Sequence, residues 1–220
     1  MLERLCVCVR PRPESSRGRL WSHTAIHRPD GTVWHSPNVP SARGLPSWDL
    51  LWVDPGALGE SQLRTFLQED TPPREILVSG PCGALQPGMP TGFGYYANEV
   101  LDPGRGPHTP RPTRALSLAA VSRALEGQVH PGKFLTTAVP CVTPSHKQES
   151  GHGYGAHAVD QDSALLCRPC HELDVGHAVV KFVFDPMEID LTLEDPKLVQ
   201  ERLEACLAVE RSLLRLLLTL

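Results

Sequence analysis

The residues best suited to chemistry lie in the second half of the chain. Cys167-Arg168-Pro169-Cys170-His171 has the spacing of a haem c attachment string, and a C-x-x-C pair can also supply half of a zinc site. No second C-x-x-C or H-x-x-x-H follows to complete four ligands, so two small thiols buried in a helix are the plainer reading. His146, His152 and His157 surround the Gly-rich stretch GHGYGAH, whose glycines favour solvated loop histidines over metal ligands. Asp160 and Asp162 flank Gln161 at the end of a strand-like run and just ahead of a helical one. That is where α/β folds place ligand contacts and equally where a helix takes its N-cap, and both readings stand. Asp185 closes the run VVKFVFD ahead of Pro186. A carboxyl buried at such a strand end has a raised pKa and can act as a general acid, while a turn-forming Asp-Pro is the alternative.

These residues need a frame to hold them. Short apolar runs predict strands at 5–9 (LCVCV), 49–53 (DLLWV), 75–79 (EILVS), 133–139 (KFLTTAV), 156–159 (AHAV) and 177–184 (HAVVKFVF). Two alternating runs around Arg28-Pro29-Asp30-Gly31 predict a hairpin within 19–36, because Gly31 accepts the positive φ of the turn. Leu63, Phe66 and Leu67 at i, i+3 and i+4 predict a helix in 60–70. Further helices are expected at 113–127, with Gly127 just past its end, and at 162–173, weakened by Pro169. Asp195-Pro196 opens a last helix that buries Val199, Leu203, Cys206, Leu207, Leu213, Leu214 and Leu217. Residues 80–85 read as a small-residue turn, 86–114 as loop, and 143–155 as a polar loop. Strands alternating with helices give a single mixed α/β domain over 1–220.

Composition narrows the function classes. The 220 residues carry a net charge of −4, so there is no basic field for nucleic acid. No run of 18 apolar residues predicts a membrane-spanning helix. The first apolar stretch ends at Arg10-Pro11, too short for a secretory leader, and seven scattered cysteines suit a reducing cytoplasm. The 22 prolines are about twice the ordinary share of ~5% and gather at 10–13, 37–46, 86–112 and 140–144. They disfavour bundles and coiled coils.

Three segments in order resemble the nucleoside phosphorylase and nucleosidase superfamily, which includes purine nucleoside phosphorylases and methylthioadenosine/S-adenosylhomocysteine nucleosidases. LVSGPCGALQPGMPTG (77–92) is similar to the family's strand followed by G-x-A-G-G-L. AHAVDQDSALL (156–166) is similar to its A-x-A-V-D/E-M-E-S/A-A helix start, and VVKFVFD (179–185) to its V-x-R-x-I-S-D strand end. FLTTAV (134–139) and Lys147 fit the strand and loop between them. The resemblance implies a single-domain three-layer α/β/α sandwich around a central mixed, twisted sheet.

The resemblance implies cleavage of the N-glycosidic bond of a purine-type or 5′-modified adenosine nucleoside through a ribosyl oxocarbenium-like species. It places Asp185 beside the leaving base as its proton donor. Asp162 takes the place of the Glu that accepts from ribose hydroxyls, Gln161 that of the Met before it, and Glu14 that of the acid that activates water. Gly80 and Gly83 would let the nucleophile or ribose approach the backbone. No Arg-x-Gly stretch marks a phosphate site, which favours hydrolysis over phosphorolysis. Phosphate as a co-substrate is otherwise the only addition expected, with no cofactor and no metal. Asp162 is a methylene shorter than Glu, Lys181 replaces Arg, Phe184 replaces a small polar residue, and 139–142 lacks a stacking aromatic. Several changes around one pocket also fit a degenerate member that binds a ligand or serves as an assembly scaffold. The family's habit implies a homo-oligomer, with the C-terminal helix and Tyr95-Tyr96 as interface material.

Overall fold

The structure, a computed structural model, describes residues 4–9, 23–27, 33–37, 48–69 and 72–218. Ten strands form one mixed sheet: β1 (Arg4–Val9), β2 (His23–His27), β3 (Val33–Pro37), β4 (Trp48–Val53), β5 (Glu75–Ala84), β6 (Gly94–Asp102), β7 (Gly106–His108), β8 (Val129–Thr136), β9 (Ala158–Asp160) and β10 (Gly176–Asp185). The helices are α1 (Ala57–Glu69), α2 (Leu118–Ala124), α3 (Pro144–Tyr154), α4 (Ser163–Glu172) and α5 (Pro196–Leu218). Strand order is β10-β6-β8-β9-β5-β1-β4-β3-β2, and β10 also pairs with β5. The sheet therefore curls until β5, β10, β6, β8 and β9 close on themselves.

Central strands are buried on both faces, which is why they read as continuous apolar runs. On β1, Leu5, Val7 and Val9 join one core cluster with α1 and α4, while Cys6 and Cys8 join the other with α2 and α5. Leu63, Phe66 and Leu67 of α1 and Leu166, Cys167 and Cys170 of α4 fill the first face. Val121 of α2, Leu125 just past its end and Cys206 of α5 fill the second. Helices on both faces of the sheet make the expected three layers.

Several expectations need correcting. The chain at 80–83 does not turn, because β5 continues through Gly80-Pro81-Cys82-Gly83. Pro81 is tolerated since the ladder with β1 has ended at Ser79, so no β1 partner needs its missing N–H. Residues 86–114 contain β6 and β7, built on the β-favouring run GYYANEVLD. Tyr95 and Tyr96 lie inside that strand and are buried in this chain, so they offer no interface surface. Residues 143–155 form α3, which has no apolar stripe to betray it. Its end signals suffice: Thr143 accepts from the His146 N–H, Pro144 starts the first turn, and Gly155 closes it in the left-handed region at φ 58°. The helix expected at 113–127 is shorter, and the strand expected at 133–139 starts earlier, at Val129. On α5, Cys206 is fully buried and Val199, Leu203 and Leu207 only half-buried, while Glu210 is buried and accepts from Ser79 Oγ at 2.6 Å. Glu14, the 28–32 turn and the side chains of Leu213, Leu214 and Leu217 lie outside the described residues.

At the end of the sheet where β10 begins, His177 packs edge-on against His171, ring centroids 4.8 Å apart, with His108 next in line at 6.1 Å. His177 is fully buried, donates through Nδ1 to Val175 O at 3.0 Å, and has no hydrogen-bond partner at Nε2. Burial pushes its pKa down to about 4. A depressed folded-state pKa means the unfolded chain binds the proton more readily, so acid favours unfolding through this group. The contribution, up to about 3 kcal/mol, is expected to vanish progressively as pH falls from about 6.5 to about 4. Melting of His177→Gln should show a shallower acid-side decline than the parent. Parallel curves would refute the assignment.

Candidate functional site

The resembling segments converge at one end of the curled sheet. β5 is the shared wall, with Gly80 paired to Lys181 and Gly83 paired to Asp185 across the β10 ladder. A Cβ on Gly80 would sit 3.2 Å from Lys181 Nζ and from Val9 O, and one on Gly83 would sit 3.5 Å from Asp185 Oδ2. Both glycines are therefore close-approach positions for this chain's own side chains. Three residue steps of strand separate them, about 10 Å.

Asp185 reaches this wall through a β-bulge. Val183 faces Cys82 and Asp185 faces Gly83, which leaves Phe184 as the extra residue. A bulge re-aims the side chains after it, and here it breaks the alternation that puts Val179 and Val183 into the core beneath α4. Asp185 is 3% exposed, and Lys147 Nζ donates to its Oδ1 at 2.6 Å. Burial pushes the Asp185 carboxyl up to about 6, against the pull of Lys147 and Arg202.

The second cluster resolves the double reading of Asp160 and Asp162. Asp160 is the cap: its Oδ1 accepts from Thr136 Oγ1 at 2.9 Å and from the Ser163 N–H at 3.2 Å, and its Oδ2 accepts from Ser163 Oγ. Asp162 holds the N-cap position of α4 yet makes no capping bond with its side chain. It accepts instead from Lys181 Nζ, which also lies 3.4 Å from Asp160 Oδ2. Burial raises the Asp162 pKa, and Lys181 opposes it. Burial also works against the Lys181 ammonium, but Asp162 and Asp160 outweigh it and hold the group protonated. Gln161, between the two acids, donates through Nε2 to Ala138 O at 3.2 Å and ties the start of α4 to the segment after β8.

The structure thus gathers Asp185, Asp162, Gln161, Gly80 and Gly83. It adds two fully buried lysines whose role the sequence did not announce. Lys181 was legible only as a replaced Arg, and Lys147 only as a spacing match. The C-x-x-C-H string is core material: Cys167 and Cys170 are buried, and burial pushes the Cys170 thiol up to about 12. Among the described residues, no group of three or more His, Cys, Asp or Glu side chains is arranged to hold a metal ion. None of the described helices is long and apolar enough to cross a membrane.

Solved structures share the fold at low identity. A 5′-methylthioadenosine/S-adenosylhomocysteine nucleosidase from Neisseria meningitidis, in complex with methylthio-immucillin-A, superposes with a TM-score of 0.77 at 15% identity, covering 99% of both chains. The corresponding nucleosidase from Colwellia psychrerythraea, in complex with adenine, gives 0.75 at 15%, covering 100% of this chain and 95% of its own. Futalosine hydrolase from Helicobacter pylori gives 0.75 at 12%, covering 98% and 97%. No curated protein matches by sequence. The family model described as the phosphorylase superfamily matches residues 62–219, which include both lysines, the bulge at Asp185 and the start of α4. The chain belongs to the phosphorylase superfamily.

Proposed function

We propose that this chain cleaves the N-glycosidic bond of a purine-type or 5′-modified adenosine nucleoside, with water rather than phosphate as the acceptor. The observation that carries this reading is Asp185: a buried carboxyl with a raised pKa, one oxygen held and the other facing a glycine. As the glycosidic bond breaks, negative charge collects on the base, and a carboxyl titrating near neutrality is suited to donate the compensating proton. Asp162, at the start of α4, is held by Lys181 Nζ and is the group that would accept from ribose hydroxyls. Activation of water by Glu14 rests on the resemblance alone. Membership of the superfamily and a fold shared with nucleosidases support the reading.

A panel of purine nucleosides, including 5′-modified adenosines, with and without phosphate, tests it by chromatography of the free base. Base release independent of phosphate is expected, and phosphate-dependent release would make the chain a phosphorylase. One observation favours the non-catalytic reading: each site carboxylate is already matched by a buried ammonium. Nucleoside binding without release of base would support that alternative.

Gly83→Ala probes the Oδ2 side of Asp185. The added methyl would lie 3.1 Å from Val159 Cγ1 as well as in front of Oδ2. Base release is expected to fall at least tenfold, with melting changed little. Unaltered turnover would show that nothing approaches Asp185 from the Gly83 side. The same reading includes a cytoplasmic homo-oligomer, which native mass measurement checks.

A further inference from the structure

Lys147 sits on α3 with its ammonium fully buried. Its three N–H groups have three acceptors: Asp185 Oδ1 at 2.6 Å, Ile189 O at 2.8 Å and Pro186 O at 2.9 Å. No hydrogen remains for a ligand, so Lys147 can influence the site only through Asp185 and the segment that follows it.

We propose that Lys147 is a positioning residue that reserves Asp185 Oδ2 as the proton-carrying oxygen and sets the pH range over which that proton is held. The consequence for turnover rests on the nucleoside-cleaving reading above. A proton on Oδ1 would point at the N–H already donated by Lys147, so the protonated carboxyl carries its hydrogen on Oδ2. Oδ2 lies on the Gly83 side, 3.5 Å from where a Cβ of residue 83 would sit. In one turnover the C–N bond breaks and Oδ2 gives its proton to a base nitrogen. The oxygen of water bonds to the anomeric carbon, water releases a proton to solvent, and Asp185 regains one from solvent. Between donation and recovery, the carboxylate is paired with the ammonium.

The charged groups that face Asp185 are Lys147 from α3, Arg202 from α5, and Glu194 from the segment before α5. Burial and Glu194 raise the carboxyl pKa, while Lys147 and Arg202 lower it. Removing the nearest cation tips the balance towards burial. In Lys147→Met, the Asp185 titration is expected to move up by roughly 1–3 pH units. A general acid works only while protonated, so the fall in base release on the alkaline side should move to higher pH by the same amount.

The test is a carbon-13 NMR titration of the Asp carboxyls in the parent and in Lys147→Met, with Asp185→Asn identifying the resonance. Lys147→Gln, which keeps hydrogen-bond donors and loses the charge, is the second arm, and the Asp185 carboxyl must move up in it as well. This second arm decides the matter if Lys147→Met does not fold. An unmoved Asp185 titration in folded Lys147→Met, or in folded Lys147→Gln, overturns the proposal. Neither titration needs a substrate. Absence of base release from every nucleoside would therefore sink the enzymatic reading, while the coupling would still be judged by its own two measurements.

Discussion

Asp185→Asn is expected to lower base release by about 10²- to 10⁴-fold, the usual worth of a positioned general acid. The amide has the shape of the carboxyl, and its carbonyl oxygen can still accept from Lys147, but it holds no proton of suitable acidity for the leaving base. The loss should fall on kcat more than on KM, because the proton is needed as the bond breaks rather than when the nucleoside binds. Retained turnover in Asp185→Asn would remove Asp185 from the mechanism and leave the bulge as a purely architectural feature.

The second large effect concerns Lys181. Replacing it with Met leaves Asp162 buried with its counter-charge gone and Asp160 close by. Breaking a buried pair from one side costs about 3–5 kcal/mol, because the remaining charge is stranded. The sign with pH follows from the direction of the Asp162 shift. Burial already raises that pKa in the fold, and the loss of Lys181 raises it further. A carboxyl with a folded pKa above its unfolded value weakens the fold at pH above both and is harmless once protonated in both states. Urea unfolding of Lys181→Met should therefore show its full deficit near pH 7.5 and a much smaller one near pH 5. An equal deficit at both values would mean that the damage is to packing.

The frame of the molecule was readable wherever burial is two-sided or amphipathic. LCVCV, EILVS and HAVVKFVF carry their strand character in composition, and Leu63, Phe66 and Leu67 carry the face of α1 in their spacing. α3 was hidden because it buries Lys147, Ser150 and Gly151 in place of an apolar stripe. Its Thr143-Pro144 start and Gly155 end were the signals available. β6 was hidden by the Gly- and Pro-rich turns on either side of GYYANEVLD.

At the site, the carboxylates could be located because they stand at strand ends. Their division of labour could not. Asp160 and Asp162 differ by two positions, and only the turn into α4 makes one a cap and the other a partner for Lys181. The bulge at Phe184 is likewise invisible in VVKFVFD, since it shows itself only against the register of β5.

The same β5–β10 pairing bears on the order in which the molecule assembles. It joins segments about a hundred residues apart in the chain, and contacts of such long range are slow to close during folding. Gly83 meets Asp185, and Gly80 meets Lys181, only when that ladder forms. A chain still emerging from the ribosome, or one cut between these strands, therefore holds no partial site. Binding competence should arrive in one step with the last strand, which makes ligand capture a sensitive reporter of complete folding.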